Sequence, residues 1–112
     1  MKLSADKMTK SPLSRDQLAE LITRRRRQIL VHSVIYYRWN DNVIDDHTFD
    51  LWSKQLAELQ EQYPDIAAEC EWAEAFKDFD GSSGAFLPLH EPAVMTMAGR
   101  VLNAVRKIKK GG

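Results

Sequence analysis

Tyr36-Tyr37-Arg38-Trp39-Asn40-Asp41-Asn42-Val43-Ile44-Asp45-Asp46-His47-Thr48-Phe49-Asp50 reads as a corner between two helices. Upstream, Ser14-Arg15-Asp16-Gln17 has the form of a capping box, with Ser14 as N-cap and Gln17 three residues on. Leu18, Leu21, Ile22, Ile29, Val34 and Tyr36 then mark a broken apolar face on one long helix. It should run to about Trp39 and stop at Asn40-Asp41-Asn42, whose side chains favour turns. Downstream, Asp45 or Asp46 can cap a second helix. Phe49, Trp52, Leu56, Leu59 and Tyr63 follow at three- and four-residue steps, a clean amphipathic stripe, and Pro64 ends it. A turn this short makes the two helices antiparallel neighbours. The corner therefore predicts an all-α fold of three or four helices built around an antiparallel helical hairpin.

Residues 1–13 are polar and predict a disordered N-terminal tail. A single helical domain over 14–110 divides into the hairpin, 14–65, and additional helices in 66–110. Ala67 to Phe76 suggests a third, shorter helix carrying Trp72 and Phe76. Asp80-Gly81-Ser82-Ser83-Gly84 is a loop by composition, and Pro88 to Pro92 is irregular. Pro92 suits the first turn of a last helix, whose apolar side is Val94, Ala98, Val101, Val105 and Ile108. Lys107, Lys109 and Lys110 sit favourably near its negative end, and Gly111-Gly112 reads as a frayed tail.

Bulk composition narrows the function. A chain of 112 residues is one small domain, and 44% hydrophobic with 29% charged residues suits a helical protein in water. Formal net charge is zero, so the whole chain exerts no general pull on nucleic acid or membrane. Cys70 is the lone cysteine, so no internal disulfide forms, which fits a reducing cytoplasm. No apolar run approaches transmembrane length, and Met1 to Lys10 lacks a signal core, so a cytoplasmic protein without membrane association is expected. His32, His47 and His90 have no metal-ligand spacing with Cys70. Gly81-Ser82-Ser83-Gly84 lacks the lysine and spacing of a phosphate-binding loop. Arg24 to Arg27 is conspicuous, but successive helical residues lie about 100° apart. Four in a row surround a helix, and a solvated ring of charge is the expected outcome.

The corner itself carries chemistry. Its aromatics offer flat surfaces for ring stacking, and its carboxylates are acceptors for sugar hydroxyls and counter-charges for a cationic ring. Asp46 and Asp50, four residues apart, share a helix face. From about Leu18 to Asp65 the chain resembles the N-terminal helical subdomain of NAD-dependent bacterial DNA ligases. The likeness lies in His32 four residues before Tyr36, the tyrosine pair, the Asp46-x-x-Phe49-Asp50 step and the leucine-rich second helix ending near Tyr63-Pro64-Asp65. That resemblance implies a site for nicotinamide mononucleotide or the matching half of NAD. In it, Tyr36 would stack on nicotinamide, Tyr37 would share the pocket, and Asp46 and Asp50 would supply the carboxylates. Phe49 stands where the family has tyrosine, which removes a hydroxyl, and Asn42 replaces a proline of the turn. The ending, with its Phe86-Leu87-Pro88, departs from the ligases and is similar to that of short ligase-related proteins encoded by bacteriophages. This implies a phage protein in the cytoplasm of a bacterial host.

No Lys-x-Asp-Gly nucleotidyltransferase motif is present, so the chain does not ligate DNA alone. Two readings remain open. One is a non-catalytic nucleotide-binding module linked to DNA ligation or replication. The other is an interaction protein docking onto a host or phage enzyme of nucleic-acid metabolism, such as a DNA ligase. An exposed stripe on the last helix that includes Met95 and Leu102 would favour docking. Direct nucleic-acid binding ranks last, because it needs the arginines and C-terminal lysines to converge on one face.

Overall fold

The structure, a computed structural model, describes residues 13–41, 43–82 and 86–111, with side chains through Ile108. Among these residues it contains four α-helices, one π-helical turn and no strand. They are α1 (Arg15–Ser33), the π-turn Val34–Arg38, α2 (Asp46–Gln62), α3 (Pro64–Glu69) and α4 (Pro92–Gly111). Of the tail expected over 1–13, all but Leu13 lies outside the described residues, as do Asn42, part of the 80–84 loop and Gly112. Gly111, expected in a frayed tail, belongs to α4.

Local chemistry accounts for the helix ends. The Ser14 hydroxyl accepts from Gln17 N at 3.1 Å while Gln17 Oε1 accepts from Ser14 N at 2.9 Å, completing the capping box. Asp45, not Asp46, caps α2, accepting from Thr48 N at 2.7 Å. That hydrogen bond holds the Asp45 carboxyl below the usual carboxylate range. Pro64 occupies the first turn of α3, where a missing N–H costs nothing.

α1 and α2 form the antiparallel hairpin. Arg25 meets Gln55, Arg26 meets Gln60 and His32 meets Trp52, so higher positions on α1 face lower positions on α2 near the corner. α4 lies against α1 and the π-turn, and α3 packs on both α1 and α2. Ile22, Ile29, Leu30, Val34, Ile35, Leu56, Phe76, Val94 and Ala98 are fully buried and form the shared core.

Two expectations need correction. The third helix does not run from Ala67 to Phe76. α3 ends at Glu69, Cys70 is extended, and residues 71–78 form successive turns. Trp72 adopts a φ of 71°, in the left-handed region where side chains other than glycine are strained and no α-helix continues.

The arginine run is not a uniformly solvated ring either. Arg26 is 1% exposed. Its guanidinium donates to Gln60 Oε1 at 2.8 Å, to the carbonyl oxygens of Ala67 at 3.0 Å and Glu71 at 3.0 Å, and to that of Cys70 at 3.2 Å. It also lies over the Phe76 ring, 5.7 Å from the centroid. Gln60 in turn donates to Phe76 O at 3.1 Å. The buried cation is thus satisfied by amide dipoles instead of a carboxylate. It ties together carbonyls at and just beyond the end of α3 and so fixes the irregular segment after it. Burial lowers the Arg26 pKa from its ordinary value.

Candidate functional site

The helix that leads into the corner changes its winding there. Trp39 N donates to Val34 O at 3.2 Å, five residues back, and Asp41 N donates to Ile35 O at 2.9 Å, six residues back. This widened turn is the signature of a π-helix, a form found often at functional positions. Val34 and Ile35 stay in the core, while Tyr36, Tyr37 and Arg38 emerge into solvent. Asn40, with φ at 51°, then turns the chain out of the helix, a conformation asparagine tolerates better than most residues.

A cleft of about 460 Å³ opens at this corner. The π-turn contributes Tyr36 and Tyr37, the connection contributes Val43 and Ile44, and the first turns of α2 contribute Asp46, His47, Phe49 and Asp50. His32 and Ser82 close its remaining sides. All five residues singled out from the sequence, Tyr36, Tyr37, Asp46, Phe49 and Asp50, therefore line one cleft. His32, His47 and Ser82 join them. His32 was visible only as part of the family pattern, and Ser82 had no signal beyond its loop.

The aromatic part of the cleft is open. Tyr36 is 52% exposed and Tyr37 43% exposed, and their rings pack edge to face with centroids 4.9 Å apart. Phe49 is half-buried, packs against the core and lines the cleft without a hydroxyl. Two adjacent rings left this open are available for contact with a ligand and contribute little to the core.

The polar part is acidic. Asp50 pairs with Lys54 on the next turn of α2 at 3.0 Å, while Asp46 stands exposed in the first turn, where helix N–H groups favour a carboxylate. The lining has no lysine or arginine, and its basic residues are His32 and His47. Burial lowers the His32 pKa, and its ring leans on Trp52 with centroids 5.6 Å apart. With His32 neutral, the lining has two carboxylates, one of them already paired with Lys54, and no lysine or arginine of its own. Such a site suits a cationic aromatic ring and a sugar diol. It disfavours a polyanion lying wholly within it.

The nicotinamide end of the implied ligand fits this donor set. Two tyrosine faces and Phe49 offer ring surface, and Asp46 and Asp50 offer acceptors for ribose hydroxyls and counter-charge for the pyridinium. No lysine or arginine lines the cleft to meet the phosphate.

The remaining sequence signals resolve as structure. Cys70 is buried and its thiol donates to Ala19 O at 3.5 Å, which makes it a core residue. No group of three potential metal ligands forms among the described residues. None of the described helices is long and apolar enough to cross a membrane. On α4, Leu102 is buried and Met95 half-buried, so these two residues do not form the exposed stripe that would have favoured docking. Compared with protein-family models, curated proteins and solved structures, the chain finds no match.

Proposed function

We propose that this protein is a small, non-catalytic nucleotide-binding module whose corner cleft takes the nicotinamide riboside half of nicotinamide mononucleotide or NAD. The observation that carries the reading is the meeting of exposed Tyr36 and Tyr37 with Asp46, Phe49 and Asp50 around one cleft of about 460 Å³. The ring stacks on Tyr36. The ribose hydroxyls donate to Asp46 and Asp50, and these carboxylates also balance the pyridinium charge. Phe49 contributes an apolar wall. The resemblance to the ligase subdomain supports the same assignment and connects the module to DNA ligation or replication, in the setting of a phage-infected bacterial cell.

An NMR titration with nicotinamide mononucleotide, then NAD, tests the proposal. The expected result is saturable shifts at Tyr36, Tyr37, Asp46 and Asp50 that Asp50→Ala removes. ATP, which has the phosphates without the pyridinium, should leave these signals unmoved. Absence of shifts at millimolar nicotinamide mononucleotide would contradict the reading.

A further inference from the structure

A second depression, of about 610 Å³, runs between α1 and α4 and shares only His32 with the lining of the corner cleft. Its floor is apolar: Val31 is buried, and Met97 and Val101 are half-buried against the core. Its rim carries Arg24 and Arg27 from α1 and Arg100 from α4. Arg27 is held by Glu71 at 2.7 Å, whereas Arg24 and Arg100 take part in no ion pair among the described residues. Glu20 is the single acidic residue in the lining. The arginine run is thus divided by the fold. Arg25 and Arg26 turn toward α2 and α3, and the other two join Arg100 around an apolar trough.

We propose that this trough docks one acidic amphipathic helix from a partner protein. Three features favour that occupant. Two helices already form the walls, so a third would pack as helices do in a groove, with apolar anchors on the floor. The α1 wall extends from Ala19 to His32, roughly 20 Å at 1.5 Å per residue, which is the length of a helix of about 13 residues. The rim is cationic in a chain whose net charge is zero, so glutamates flanking the anchors complement it. Met97 gives the floor an adaptable surface. A nucleic acid is a poorer occupant: the floor is aliphatic, no tyrosine, phenylalanine or tryptophan lines it for base stacking, and Glu20 would face the phosphates.

The test uses the intact 112-residue protein and two fluorescein-labelled 15-residue helical peptides. Both carry leucines at i, i+3, i+4 and i+7. One has glutamate at the flanking positions, the other lysine. Anisotropy should show saturable binding of the glutamate peptide and at least tenfold weaker binding of the lysine peptide. Arg24→Glu with Arg100→Glu should weaken the glutamate peptide at least tenfold. Both side chains are exposed, and circular dichroism will show whether the helices persist. Met97→Gln supplies an independent variant on the floor and should weaken the same peptide. No binding of the glutamate peptide at millimolar concentration would overturn the proposal. So would equal binding of the two peptides. Competition by pyrophosphate or a single-stranded oligonucleotide would assign the trough to phosphates instead, and concentration-dependent dimers lost in the double variant would assign it to a second copy of this chain.

Discussion

The guanidinium of Arg26 donates to the carbonyl oxygen of Ala67 at 3.0 Å, bridging 41 positions of sequence from the middle of α1 to the end of α3. Three further acceptors complete its shell. Removing the side chain leaves the Cys70 carbonyl without its donor and Ala67 O with only Cys70 N, and opens a cavity beside Phe76. Arg26→Ala should therefore cost about 3 kcal/mol or more, the range for breaking a buried charged hydrogen-bond network. Arg26→Lys should recover only part of this, because one ammonium cannot replace a forked guanidinium. Urea unfolding of the two variants checks both statements. A loss below about 1 kcal/mol for Arg26→Ala would show that the segment after α3 is held by other means.

This residue also shows where the sequence stops being legible. The breaks in the α1 stripe are regular: Arg26 lies four residues after Ile22 and four before Leu30, on the core-facing side. The spacing held the signal, yet a run of four arginines looks uniformly solvated when depth is unknown. Helices α1, α2 and α4 were readable from local chemistry: a capping box, an aspartate cap, a proline in the first turn and period-3.6 stripes. The segment 70–79 was not, because partners distant in sequence fix its backbone. Trp72 and Phe76 have helical spacing but sit in turns anchored to Arg26 and Gln60. The five candidate residues of the site came from a local pattern across one corner, and the fold gathers them there. The trough between α1 and α4 needed Arg24, Arg27 and Arg100 to meet from opposite ends of the chain, which no local pattern shows.

Gly81 has a φ of 87°, and a Cβ at this position would lie 3.1 Å from the carbonyl oxygen of Ser53. Both the backbone conformation and the neighbouring helix exclude a side chain. Gly81→Ala should destabilise the protein by about 1–3 kcal/mol. The adjacent Ser82 lines the cleft, so the same substitution should disturb signals of the cleft residues. Thermal unfolding with amide spectra of the variant measures both effects.

His32 gives the protein a defined pH dependence. Burial lowers its folded pKa below the ordinary 6.5, so the unfolded chain takes up a proton before the folded one does. Stability should be unaffected by this group above about 6.5 and fall as the pH drops from there toward the lower folded value. His32→Gln should flatten the stability profile in that window. An unchanged slope in the variant would place the titration elsewhere.

The exposure of Tyr36 separates binding from folding. Tyr36 is half exposed and gives up chiefly its edge-to-face contact with Tyr37, so Tyr36→Ala should cost no more than about 1.5 kcal/mol. The same substitution should abolish saturable nicotinamide mononucleotide binding. Phe49→Tyr should act in the opposite direction and tighten binding by returning a hydroxyl to the cleft. Calorimetric titration of the two variants beside the unmodified protein tests the pair. Equal affinities in all three would remove the tyrosine pair from any role in recognition.

The most direct measurement is a set of intermolecular nuclear Overhauser effects with nicotinamide mononucleotide at saturation. The account predicts cross-peaks from the nicotinamide ring protons to the ring protons of Tyr36 and Tyr37, and from the ribose protons to Asp46 and Asp50. Cross-peaks only to residues outside the cleft, or none with ligand in millimolar excess, would contradict it.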